Sequence, residues 1–142
     1  MESTVQEQYV EFSIGKEKYA ILISEIHEII RMLDITEIPN CQNYVQGVIN
    51  LRGKIVPVIS LRSLFALGEG DLTKYTRIVV VNHREESIGI IVDRVNKVTT
   101  FSDIQPPPER VGGINGSYFV GIGISKDELA GILKLDEVLL RD

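Results

Sequence analysis

Residues 47–65 read GVINLRGKIVPVISLRSLF, a pattern of strand, tight turn, strand and short helical turn. Val48, Ile49 and Leu51 form one apolar run; Ile55, Val56, Val58 and Ile59 form the second. Arg52-Gly53 stands between them, and glycine supplies the positive φ that a two-residue hairpin turn needs. Both runs are β-branched and nearly continuous, which predicts strands buried over most of their surface. Pro57 interrupts the second run. Proline cannot donate to a ladder, so an edge strand or a bulge is expected there. Asn50, Arg52, Lys54, Ser60 and Arg62 put polar groups at the tip and ends of this otherwise apolar hairpin.

Strand patterns continue on both sides. Upstream, Val10, Phe12 and Ile14 alternate with Glu11 and Ser13, the period of a half-buried strand. A turn at residues 15–17 leads to a second strand over 19–23. Residues 24–27 fit a capped helical turn, and helical spacing of Ile26, Ile29 and Ile30 competes with an extended run to Met32. Residues 33–43 form a connector ended by Pro39. Downstream, 61–67 reads as one or two helical turns stopping at Gly68, and 69–74 as a polar linker. Residues 78–81 and 88–92 pair around a turn at 82–86, with 95–98 extending the second strand. Pro106-Pro107-Pro108 stiffens a connector, and 111–117 is a glycine-rich loop. A last hairpin, 119–124 with 129–133, precedes a closing helical turn over 135–140.

The second half echoes the first. GVINLRGKIVPVISLRSLF from Gly47 lies over GIGISKDELAGILKLDEVL from Gly121 without a gap, at a spacing of 74 residues. Ile55 then meets Leu129, Val58 meets Ile132 and Leu61 meets Leu135. A second echo, at a spacing of 69, links residues 19–24 to 88–93, and the connectors around Pro39 and Pro106 fall in matching places. The order of the matches predicts a duplication. Each half supplies about five short strands and a helical turn, enough to close a small barrel of the SH3-like or OB kind. The expected fold is all-β: two five-stranded SH3-like β-barrels packed side by side, over residues 9–74 and 75–140. Barrels of that size are marginal alone, which is a physical reason for pairing, and two convex bodies leave a groove between them.

Composition narrows the function. The chain has 142 residues, 44% of them hydrophobic and 25% charged, with a net charge of −5. A scattered minority of cations speaks against nucleic acid and against an anionic membrane surface. No apolar run approaches the eighteen or so residues of a membrane span, and MESTVQEQ has no secretory pattern. The single cysteine, Cys41, has no internal disulfide partner, in keeping with a reducing cytoplasm.

No catalytic constellation emerges. His27 and His83 have no partners at metal-ligand spacing. Cys41 has no nearby base. Gly112-Gly113-Ile114-Asn115-Gly116 lacks the Lys-Ser/Thr of a phosphate loop and precedes a strand. Glu85-Glu86 sits at a turn tip, where charge is solvated. No cofactor, no metal and no enzyme activity are expected. A binding module remains, with strand edges, hairpin tips and an inter-barrel groove as its tools.

Three segments resemble the chemotaxis coupling proteins, the CheW family: GVINLRGKIVPVI from Gly47, Ile26-His27-Glu28-Ile29 before it, and Gly89-Ile90-Ile91-Val92-Asp93-Arg94-Val95 after it. The resemblance runs from about Tyr9 to Leu140; Ser60 stands where the family usually has Asp, and Ile30 where some members have a charged residue. It implies the same two-barrel fold, and a short turn then a strand after Ser24. It also implies a cytoplasmic adaptor at the inner face of the membrane, within receptor arrays and without membrane insertion. That adaptor would link the cytoplasmic tip of chemoreceptors to the regulatory domain of the chemotaxis histidine kinase. The alternatives are a related adaptor of a surface-motility or gene-control array, and a β-barrel sensor of a small ligand. The implied partner-binding residues are Ile26, Glu28, Gly47, Asn50, Arg52, Gly53, Val95 and Val98. Glu28 and Arg52 are expected to share a charge-assisted hydrogen bond that fixes the 50–53 tip. Ile26, Gly47, Val95 and Val98 are expected in the inter-barrel groove, so that Gly47→Asp or Val98→Met weakens partner binding and leaves the fold intact.

Overall fold

The alternation of Val10, Phe12 and Ile14 yields β1 (Tyr9–Ile14), which turns at Gly15 into β2 (Glu17–Leu22). In this computed structural model the described residues are 7–39, 45–68, 70–126 and 128–139. Cys41, the polar start at residues 1–6, the end of the 33–43 connector and the last residues from Leu140 onward lie outside them. A single 3-10 turn at Ile23–Glu25 resolves the ambiguity after Ser24, and the chain continues extended as β3 (Ile26–Arg31). The 47–65 stretch forms β4 (Val45–Leu51), β5 (Lys54–Ser60) and α1 (Leu61–Leu64), whose N-cap Ser60 accepts a hydrogen bond from Ser63 N at 3.3 Å. Next come β6 (Arg77–His83), β7 (Glu86–Val92), β8 (Arg94–Thr99) and β9 (Asp103–Gln105). The glycine-rich 111–117 region is more ordered than a loop. Its Gly112-Gly113 pair turns a small hairpin, β10 (Arg110–Val111) with β11 (Ile114–Asn115). The chain ends in β12 (Phe119–Ser125), β13 (Glu128–Leu133) and α2 (Leu135–Leu139). Strand makes up 58% of the described residues and helix 12%, far below the third that an average globular protein has.

Two larger sheets result, ordered β8-β1-β2-β13-β12-β9 and β3-β6-β7-β5-β4. Each curls until one bent chain segment pairs at both of its edges. In the second sheet β3 lies against β6, and its continuation at Thr36 exchanges two 2.9 Å backbone hydrogen bonds with Val48 of β4. In the first, β8 lies against β1, and its continuation β9 lies against β12. Every pairing in the two rings is antiparallel except β2 with β13 and β5 with β7, which occupy matching places. The two rings therefore have five chain segments each, in the same order.

The division at residues 74 and 75 does not hold. Each ring takes two strands from one half of the chain and the rest from the other: β1 and β2 sit with β8, β12 and β13, while β6 and β7 sit with β3, β4 and β5. The cause lies in the linkers. Asp93 alone separates β7 from β8, too little chain to turn back within one sheet. The chain therefore leaves the second sheet for the first, and residues 95–98 do not extend β7. The turn at Ile23–Glu25 makes the matching passage after β2.

Alternating strand faces explain three apolar clusters. Val56, Val58, Ile78 and Val80 fill the second ring with Ile49; Ala20, Ala130 and Ile132 fill the first with Tyr9 and Phe101. The opposite faces carry Phe12, Tyr19, Ile21, Ile59, Val79, Val81 and Leu133 into a shared cluster, joined by Leu61, Phe65, Phe119 and Val138. The junction between rings is thus a core. Pro57 sits where the ladder permits it. β5 is interior to its sheet, but its pairing with β7 begins at Val58, so residues 54–57 have a neighbour on one side only.

Candidate functional site

The β4–β5 turn gathers four of the eight expected residues. Arg52 and Gly53 both have positive φ, 53° and 86°, the mirror-image turn whose twist suits a two-residue hairpin. Asn50 Oδ1 accepts from Gly53 N at 2.8 Å and closes the tip. Arg52 Nη2 donates to Glu28 Oε2, and His27 Nε2 stands 3.6 Å from the same oxygen. Glu28 reaches this rim because β3 shifts register against β6 between Ile26 and Glu28. The extra residue flips the strand's faces. Ile26 then packs on the shared core, while Ile30, two residues beyond Glu28, packs inside the second ring. Arg52 is 67% exposed and Glu28 24%. Ile29 and Ile55 leave apolar surface exposed on the same two elements.

The other four residues do not join this cluster. Ile26 and Val95 pack half-buried against the shared core. Val98 is 51% exposed on β8. Gly47 is buried, at φ 146°, and a Cβ there would fall 2.1 Å from the carbonyl oxygen of Thr36. Gly47 is the residue that lets the second ring close, and the expected groove position for it is corrected. Gly121, its counterpart in the repeat, faces the carbonyl oxygen of Gln105 at 2.6 Å in the same way. A sequence shows a glycine but not what lies against it.

A buried-edge clamp escaped the sequence reading. Asp93, at the crossing between rings, accepts from Arg62 Nη2 at 2.5 Å, Arg62 Nε at 3.3 Å and Gly15 N at 2.7 Å. It ties α1 to the β1–β2 turn. The signal was available: one acidic residue was the whole link between two strands. Burial by itself raises the Asp93 carboxyl, but the hydrogen bonds from Arg62 and Gly15 outweigh it and hold the group below the ordinary carboxylate range. A folded-state value below the unfolded one stabilises above the unfolded pKa of about 3.9 and is lost as pH falls through the folded value. Asp93→Asn is therefore expected to lower the urea midpoint at neutral pH and to flatten its decline below about pH 4. A decline as steep as the parent's would rule the clamp out.

Among the described residues, no group of three His, Cys, Asp or Glu could hold a metal ion, and no helix is long and apolar enough to cross a membrane. A family model described as CheW-like domain matches residues 8–142. The chain is 40% identical over 137 residues to the chemotaxis protein CheW of Helicobacter pylori, covering 95% of this chain and 82% of that protein. It is 37% identical over 123 residues to the chemotaxis protein CheW of Treponema pallidum, with coverages of 82% and 72%. The solved structure of scaffolding protein TtCheW from Thermoanaerobacter tengcongensis matches with a TM-score of 0.86 and 35% identity, over 94% of this chain and 87% of that one.

Proposed function

This chain belongs to the CheW-like family, and from that membership we propose that it is a non-catalytic chemotaxis adaptor coupling transmembrane chemoreceptors to the chemotaxis histidine kinase. The observation that carries the reading is the Glu28–Arg52 pair at the rim of the second ring. Its turn is braced by Asn50, and exposed Ile29 and Ile55 stand on the same elements. An exposed ion pair contributes only about 0–1 kcal/mol to stability, so orientation of the tip is the role that fits. The tip takes the kinase's regulatory domain. Val98 and the exposed edge of β8 take the receptor's helical hairpin. Exposed apolar residues at strand edges and turns, Ile55, Val98, Ile104 and Leu129, favour an adaptor over a sensor with an enclosed ligand pocket.

A double-mutant cycle tests the tip. Glu28→Ala and Arg52→Ala are each expected to weaken binding of the kinase regulatory domain by about tenfold, or 1.4 kcal/mol. The double variant should lose little more than either single one, because the two side chains act as a unit. Strictly additive losses would show that they are not coupled, and unchanged binding would place the kinase elsewhere.

A further inference from the structure

A second polar site lies where the chain passes between the rings. Tyr75, Arg77, Arg94, Val95 and Asn96 line an open cleft of about 570 Å³. The Arg94 guanidinium stacks 4.0 Å from the centroid of the Tyr75 ring, with Lys74 Nζ at 5.3 Å. Arg77 Nη1 donates to the carbonyls of Lys74 and Thr76 at 2.8 and 2.9 Å. Arg31 lies directly across from Arg77 on β3, and like charges opposite one another destabilise a sheet.

Among the described residues, none of Arg31, Lys74, Arg77 or Arg94 takes part in an ion pair. Asp93, next to Arg94 in sequence, is held by Arg62 and Gly15, and Glu11, 4% exposed, accepts from the lining residue Asn96 at 2.9 Å. The loop is also held rigid. Thr76, 4% exposed, accepts from Thr73 N at 2.9 Å, and Thr73 Oγ1 accepts from Tyr75 N at 3.0 Å. A merely solvated run of cations needs no such bracing. Two guanidinium groups fixed by carbonyls and a ring face, beside an exposed tyrosine, have the composition of an interface hot spot.

We propose that this cleft docks an acidic segment of a partner protein, whose carboxylates bridge Arg77 and Arg94. On a chain of net charge −5, a local cationic cleft gives such a segment a place to land against a repulsive background. The proposal rests on the adaptor reading only in taking the occupant to be a protein.

The test is an NMR titration of the intact chain with hexaglutamate, with inorganic phosphate in a parallel arm. Saturable amide shifts are expected at Tyr75, Arg77, Arg94 and Asn96, weakening as salt rises. Arg94→Glu should weaken the peptide by at least about tenfold with the thermal midpoint nearly unchanged. Lys134→Glu, the same change of charge away from the cleft, should leave affinity within about twofold. Equal losses in both variants, or shifts spread over all basic residues, would reduce the effect to net charge and overturn the proposal. Phosphate displacing the peptide at equal concentration would overturn it too, in favour of a small-anion site. Neither receptor nor kinase enters the titration, so its failure and a failure of the coupling role are separately visible.

Discussion

Gly47→Ala is expected to cost on the order of 4 kcal/mol, combining about 1–3 for a strained backbone and about 1–3 for overpacking. The new Cβ would sit 2.1 Å from the Thr36 oxygen and 2.8 Å from its carbonyl carbon. Backbone is what it meets, so no side-chain rotation relieves it. Thr36 cannot retreat either, because its two hydrogen bonds with Val48 close the second ring. Typical domains have about 5–15 kcal/mol in total, so the variant should melt early and lose much of its folded population. Two other glycines grade the effect. Gly121→Ala meets a carbonyl oxygen at 2.6 Å but without a positive φ, and should cost less. Gly53, at φ 86° with nothing within 4 Å of a new Cβ, should cost only about 1–2 kcal/mol. Urea denaturation of the three variants gives the order. If Gly47→Ala unfolds at the parent's midpoint, Gly47 does not serve closure, and its place among the partner contacts returns.

Phe119→Ala is expected to cost about 3–5 kcal/mol and to unfold both rings together. Phe119 is 2% exposed and lies between them. Its ring is 6.3 Å from that of Tyr19 on β2 and 6.2 Å from that of Phe65, which follows α1. A void there removes contacts from both sides of the shared core. One cooperative transition is expected, with an unchanged denaturant slope, whether read from tyrosines or from backbone dichroism. Two separated transitions would show that the rings are independently stable. Gly131 offers a second check. A Cβ at Gly131 would meet the Phe119 ring at 2.6 Å, so Gly131→Ala should be costly in the parent and much less so beside Phe119→Ala.

The sequence by itself determined the local elements. The 47–65 hairpin, the alternating β1 and the duplicated order of strands were legible because period and turn chemistry act between near neighbours. The resemblance carried the Glu28–Arg52 pair, and the contact is present. The turn at 82–86 was legible as well, but its geometry was not. Arg84-Glu85 turns with both φ positive, 53° and 67°, and neither residue announces that conformation.

Only the tertiary structure decided which strands share a ring. The two halves present equivalent strands, so no local preference separates pairing within a half from pairing across halves. Connectivity decides instead, through the single residue Asp93 between β7 and β8. The same folding seats Thr36 against Gly47 and Arg94 on Tyr75. Those neighbours are distant in the chain, and their contacts exist only once the rings have closed and packed. Distances of that kind are set by the whole fold, and no stretch of sequence carries them.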